Sequence, residues 1–375
     1  MCSTTVAGMV MRWKQVGDDP QGAFFTDEQL VERHVGRGEF RGLEFFHVNA
    51  RTIINRVPAS SNMPFSHTIN TYRGCSHACT YCFARPTHAY LDLGIGEDFD
   101  RRIVVKVNAV ERAKAELRAP SWGRHHIALG TNTDPYQRCE GKYHLTRGLI
   151  DAFAAADTPF SILTKSTLVV RDLDRLIEAA KRVAVRINLS VPTLDAAVWK
   201  ATEPGTPHPR LRLEAVARIN AAGIPCGVLI APILPGLSDS DDQLREVVTA
   251  AVDAGAVSVA ASLLFLRDGT RAHYLDHLHA YDPAAAAATD ELYREHAYRP
   301  RGEHVVLSER VRRFAAEARQ RSGRTSVVVG PRVVDLRTDG VRADVHERVR
   351  EMGLGPGRAP VREPHGDATE QLALL

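Results

Sequence analysis

Cysteine is scarce in this sequence, with 6 among 375 residues. So few in so long a chain exclude a disulfide-built fold, because stapled scaffolds are short and dense in cysteine. Long hydrophobic runs are missing too, and no stretch approaches the roughly 20 apolar residues that cross a bilayer. The opening MCSTTVAGMVMRWKQVGDDP carries no uninterrupted apolar segment behind a basic one, so a cytoplasmic protein without membrane contact is expected. Charge of one sign is also lacking, and a net charge of +3 is by itself too weak to imply a polyanionic partner. No glycine-rich phosphate loop is found, since GRGEFRG (36–42) neither follows a clear strand nor ends in Lys-Ser/Thr.

What is present is a hydrophobic content of 44%, enough for a sizeable core. Over the middle two-thirds, short β-branched runs alternate with amphipathic stretches. The runs are HTINTY (67–72), RIVVKV (102–107), HHIALG (125–130), PFSILT (159–164), VAVRINLSV (183–191), IPCGVLIAPIL (224–234) and AVSVAASLLFL (256–266). Between them lie helical patterns such as LTRGLIDAFAAA (145–156), RLRLEAVARINAAG (210–223) and DSDDQLREVVTAAVDAG (239–255), with Gly223 and Gly255 as helix stops. Aspartates at the head of the last pattern read as capping groups that suit the helix dipole.

Such alternation predicts parallel strands with crossover helices. Polar motifs fall at the predicted carboxyl ends of the strands, which converge on one mouth in a barrel. The expected architecture is an α/β, partial (βα)6 barrel over residues 65–267. Around it we expect a helical amino-terminal extension (1–64), a helical carboxy-terminal extension (268–339) and a disordered tail (340–375).

Three of the cysteines cluster in RGCSHACTYCFARP (73–86), as Cys75, Cys79 and Cys82. Thiolates bind zinc or iron–sulfur clusters, or act as nucleophiles, and a third local cysteine argues against a simple redox pair. Structural zinc wants four ligands; His67 or His77 offers a fourth, but no distant second CxxC accompanies the loop. A four-iron cubane on three cysteines leaves one iron open to a substrate or cofactor. Buried, unligated thiols fit poorly with a stretch so rich in Gly, Ser, His, Arg and Thr.

With Tyr81 directly before the last cysteine, the loop resembles the CxxxCxΦC signature of the radical S-adenosylmethionine (radical SAM) superfamily. GTNTDPYQRCE (130–140), LTR (145–147), LTKSTLVVRDLDRL (163–176), EP (203–204), RL (212–213) and APILPGLSD (231–239) resemble, in order and spacing, its spore photoproduct lyase branch. The resemblance implies a [4Fe-4S] cluster on Cys75, Cys79 and Cys82, with SAM chelating the fourth iron. It implies an enzyme that cleaves SAM reductively and abstracts a hydrogen atom through a 5′-deoxyadenosyl radical, fed by an electron donor such as flavodoxin or ferredoxin. By the same resemblance Tyr81 lies near the adenine, and Thr133 and Asp134 meet the methionine amino group. Lys165 faces the methionine carboxylate, Asn188 or Ser190 bonds the ribose, and Arg212 is a further carboxylate contact.

The sequence also departs from that branch. Spore photoproduct lyases carry a hydrogen-donating cysteine where this chain has Thr131, and Cys139, just downstream, reads as a small hydrophobe. Repair of thymine dimers is therefore not implied. Ten arginines against four acids between Arg299 and Arg337, together with the lyase branch, lean the substrate toward nucleic acid. The alternative is a non-catalytic iron–sulfur or zinc protein with a structural or redox-sensing role. His273 and His277 share the four-residue spacing of helix-borne metal ligands, but lack a carboxylate partner motif and read as exposed polar positions.

Overall fold

The computed structural model describes residues 29–323, apart from 59, 60, 62 and 268. The amino-terminal 28 residues and the tail expected from 340 onward lie outside the described residues.

In chain order the strands and helices are β1 (Gln29–Val35), β2 (Glu44–Asn49), β3 (Ile54–Arg56), β4 (His67–Ile69), β5 (Tyr72–Arg73), α1 (Glu97–Arg101), β6 (Arg102–Lys106) and α2 (Ala109–Leu117). There follow β7 (Ile127–Leu129), α3 (Glu140–Tyr143), α4 (Leu145–Ala155), β8 (Phe160–Thr164), α5 (Leu173–Ala180), β9 (Val185–Ser190), α6 (Ala196–Thr202) and α7 (Pro209–Ala221). The chain continues with β10 (Cys226–Ile233), α8 (Asp241–Asp253), β11 (Val259–Leu263), α9 (Thr270–Tyr281), α10 (Pro283–Leu292) and α11 (Arg301–Ser322).

Seven strands form one sheet in the order β11-β10-β9-β8-β7-β4-β3. The run from β4 to β11 is parallel throughout, six strands in all, and β3 closes one edge antiparallel to β4. The ends do not pair, so this is the expected partial barrel, open on one side. Alternation along each strand builds it. In β8, Phe160 and Ile162 face the core under the helices, while Ser161 and Leu163 point the other way, as does Lys165 just beyond the strand. Ile127, Ile187, Val228 and Val259 contribute to the same outer layer, against Phe153, Leu176, Val216, Val248 and Phe314 of the helices.

Local chemistry fixes the helix ends. Ser240 and Gln243 make a reciprocal capping box at the start of α8, with Asp241 and Asp242 in its first turn. Gly223 and Gly255 follow α7 and α8 with φ of +83° and +79°, the left-handed stop that glycine takes without a steric penalty.

Two expectations need correction. The amino-terminal extension is expected to be helical, yet its described part holds three strands, with a short 3-10 turn at Gly38–Phe40 and no α-helix among the described residues. In β2 the run Phe45-Phe46 and Val48 is buried on both faces, which suits a strand and not a helix stripe. RIVVKV is a strand, but not one of the barrel. It pairs with β2 and β5 in a second sheet of order β1-β2-β6-β5. Periodicity identifies a strand; it does not identify the sheet that takes it.

Candidate active site

HTINTY divides between the two sheets, its first half in β4 and its last residue in β5. The cysteine loop that follows is thus suspended between the barrel and the second sheet, and three distant stretches hold it. Cys75 N–H donates to Phe99 O at 2.9 Å and Thr80 N–H to Thr202 O at 2.9 Å. Gly205 N–H donates to His77 O at 3.0 Å, and the Gln137 side chain accepts from Ser76 N–H at 3.0 Å while donating to Gly74 O at 3.1 Å. A Cβ on Gly205 would stand 2.2 Å from Ser76 O, so only glycine lets these backbones approach.

Beneath the loop the fully buried Arg85 guanidinium donates to Cys79 O at 2.9 and 3.0 Å and pairs with Asp100 at 2.9 Å. From the other side α9 covers it, with Tyr274 edge-on to Tyr81 at 6.3 Å and Thr270 Oγ1 donating to Cys82 O at 3.4 Å.

Cys75, Cys79 and Cys82 line one wall of an open cleft at the carboxyl ends of the barrel strands. Thr133, Asp134, Lys165 and Ser190 line it too, joined by Gly130, Ala231 and Ser262. Of the residues singled out above, the structure therefore brings the three cysteines, Tyr81, Thr133, Asp134, Lys165 and Ser190 to one cavity. Two are not brought there. Asn188 sits one pleat lower than Ser190, opposite Gly227. Arg212 is fully buried, its guanidinium donating to Pro207 O at 2.9 Å, Ser190 O at 2.9 Å and Glu203 at 2.5 Å, which leaves it no reach toward the cleft.

Glu203 is the residue that motif reading left without a role. It accepts from Tyr81 Oη and Arg212, and Lys165 Nζ lies 3.2 Å away. Burial pushes its carboxyl up, but the Arg212 and Lys165 cations and the Tyr81 hydroxyl outweigh that and hold it at about 2. Lys165 Nζ also donates to Ser190 Oγ at 2.6 Å and lies 5.8 Å from the Tyr81 ring centre. Two cations against one carboxylate leave this group with a surplus positive charge, and Lys165 presents it to the cleft. Only the dipeptide EP hinted at Glu203 in the sequence, because its partners are scattered from Tyr81 to Arg212.

Asp134 is tightly engaged. Its oxygens accept from Thr164 Oγ1 at 2.6 Å, Lys165 N–H at 2.8 Å and Tyr136 N–H at 2.9 Å, and His77 Nδ1 stands 3.3 Å away. Burial alone would raise its carboxyl; the His77 imidazolium and these donors lower it instead. Burial likewise pulls His77 down, and Asp134 with Cys75 overcomes it, raising the imidazole to about 10.

The donor set suits an iron–sulfur cluster. Burial, with neighbouring cysteines adding to it, pushes the Cys79 thiol up strongly and Cys82 up to about 11. Bare thiolates would repel one another here, whereas bound iron cations remove that cost. Cys139, by contrast, is buried in the main core, away from the cleft wall. His277 turns Nδ1 to the His273 carbonyl oxygen at 2.8 Å.

Known proteins agree with this geometry. The family model for the radical SAM superfamily matches residues 69–248. Uncharacterized proteins of Mycobacterium tuberculosis and Mycobacterium bovis are 45% identical over 316 residues, spanning 82% of this chain and 93% of theirs. An uncharacterized protein of Methanocaldococcus jannaschii is 28% identical over 209 residues, covering 54% of this chain and 73% of its own. Among solved structures, spore photoproduct lyase complexed with dinucleoside spore photoproduct superposes with a TM-score of 0.54 at 17% identity, covering 73% of this chain and 79% of that one. That likeness is one of fold.

Proposed function

The chain belongs to the radical SAM superfamily, whose enzymes use a [4Fe-4S] cluster and SAM, and from that premise we propose that Cys75, Cys79 and Cys82 hold the cluster and that SAM occupies the cleft beside them. One observation carries this reading: two buried thiols and a half-buried third share a cavity wall with a lysine that brings surplus positive charge. When bound, the cluster would supply the electron for splitting SAM into methionine and a 5′-deoxyadenosyl radical, the species that would take a hydrogen atom from substrate.

This chain's own residues bind, orient and exclude water. Lys165 offers its ammonium to the methionine carboxylate, and the Ser190 hydroxyl, which in this structure donates to Ala231 O at 2.9 Å, would turn to the ribose. The Asp134 carboxylate and Thr133 stand where the methionine amino group is expected, although Thr133 Oγ1 already donates to Gly74 O at 2.9 Å. Tyr81, pinned by Glu203, would lie beside the adenine. Arg212 acts through Glu203, fixing the charge on which both Lys165 and Tyr81 depend. Phe83, Leu163, Leu264 and Phe265 keep the cleft largely apolar, which strengthens each polar contact within it.

For the substrate, the fold shared with spore photoproduct lyase supports nucleic acid. The carboxy-terminal arginines give less support, because Arg310 pairs with Asp241 at 2.6 Å and Arg313 with Asp241 at 3.5 Å and Glu317 at 4.0 Å. The expected electron donor is a flavodoxin or ferredoxin.

The test is anaerobic reconstitution with iron and sulfide, followed by dithionite, SAM and chromatography for 5′-deoxyadenosine. The expected outcome is product from wild type and none from Cys79→Ala. A cluster that never cleaves SAM, or tightly bound zinc in the same thiols, overturns the reading in favour of a structural or sensing metal. A short single-stranded oligonucleotide should bind with an affinity that falls steeply between 50 and 200 mM salt, as phosphate contacts require; binding indifferent to salt, or none, moves the substrate to a peptide or small metabolite.

A further inference from the structure

Away from the cleft, on the second sheet, three side chains with metal-binding atoms meet. Glu32 and His34 lie two apart on β1 and so share a face, and the strand register sets Glu32 directly opposite His47 of β2. One ligand atom from each lies within 4.8 Å of the other two, the one such trio among the described residues. The Glu32 Oε2 to His34 Nε2 distance is 2.9 Å. The His34 and His47 rings lie 4.3 Å apart, tilted by 48°.

We propose that Glu32, His34 and His47 form a binding site for a divalent transition metal, zinc in the first instance. The residue types are those of His₂Glu zinc sites, which leave a fourth position for water or an outside ligand. In a tetrahedron with metal–donor distances near 2.1 Å the donors stand about 3.4 Å apart. Rotation about the side-chain bonds of the exposed Glu32 and half-buried His34 covers the difference.

A second observation marks His47. The Tyr143 hydroxyl, in the turn of helix α3, lies 2.7 Å from His47 Nε2 and meets the ring edge-on at 5.3 Å. Metal-bound imidazoles characteristically bond through their second nitrogen to such an outer partner, which fixes ring orientation. A Glu32–His34 ion pair alone would leave the His47 position, its ring contact with His34 and its tether to Tyr143 without a common purpose. The site lies on the edge pair of the sheet that leads through β5 into the cysteine loop, so the metal would fasten β1, the outermost strand, to its neighbour.

The test uses full-length protein with its cluster already reconstituted, so that the cysteines are occupied. After incubation with zinc and desalting through a weak chelator, metal is counted by mass spectrometry. The expected result is about one zinc per chain, at least about tenfold weaker retention in Glu32→Gln and His34→Gln, and unchanged iron. Zinc should also raise the melting temperature of wild type and not of Glu32→Gln. Because Glu32 is exposed, that variant keeps the fold even if His47→Gln does not. No zinc above background in wild type, or equal retention in Glu32→Gln with iron intact, overturns the proposal.

Discussion

A carboxylate with almost no solvent contact stays ionised only among compensating donors, and Glu203 depends on Arg212 more than on any other. Replacing Arg212 with methionine removes the larger cation and strands a buried charge, at a cost of about 3–5 kcal/mol. Denaturant titration should read that loss, and Arg212→Met/Glu203→Gln should recover part of it, because the stranded charge is then gone. Glu203 also carries a pH signature. Its carboxyl lies near 2 in the folded chain, below the ordinary value of 4.5. The stability it contributes is therefore fully present above about pH 4.5 and lost as pH falls toward 2. Thermal melts between pH 3 and 7 should show a shallower acid slope in Glu203→Gln than in wild type.

At the scale of elements, the turn after α6 matters through its backbone. Gly205→Ala places a methyl group against Ser76 O, and the turn and the cysteine loop must separate. We expect iron content after reconstitution to fall severalfold while far-UV circular dichroism stays native, since the clash touches a loop and no barrel strand. The cysteine spacing and the strand–helix alternation were legible in the sequence because both are local. Less legible was what the other family-like segments do. LTR and the helix start VVRDLDRL meet each other: Arg147 pairs with Asp172 at 3.0 Å and Asp174 at 2.6 Å, and Arg171 bonds Glu140 and Asp172. These contacts staple α4 to α5 and do not reach the cleft. Arg212 was misplaced for a similar reason, since a motif position says nothing of the direction a side chain takes. The RIVVKV strand went to the second sheet because Phe45, Phe46 and Val48 of β2 supply the apolar partners it needs, and those lie more than fifty residues upstream.

Over the whole molecule, α11 completes the helix layer beside β11 although α9 and α10 intervene in sequence. Its Leu307, Val311, Phe314 and Ala318 belong to the same core as the barrel strands. Residues 301–322 are thus part of the barrel's stability despite lying beyond the sixth strand. Phe314→Ala should cost about 3–5 kcal/mol by the cavity it leaves. Calorimetry should show one transition moving down as a unit; a separate early transition for the carboxy-terminal helices would show that they fold apart.

The tethering of the cysteine loop also has a consequence in time. Thr80 waits for a partner 122 positions later in the chain. At about 5–20 residues per second that interval lasts roughly 6–24 s of synthesis. Throughout it the three thiols are already translated but lack the scaffold that buries them and keeps them apart from oxidants. Iron arriving early would meet a floppy ligand set, so productive loading belongs to the finished chain, and a ribosome stalled before Gly205 would leave a segment that scavenges metal without organising it.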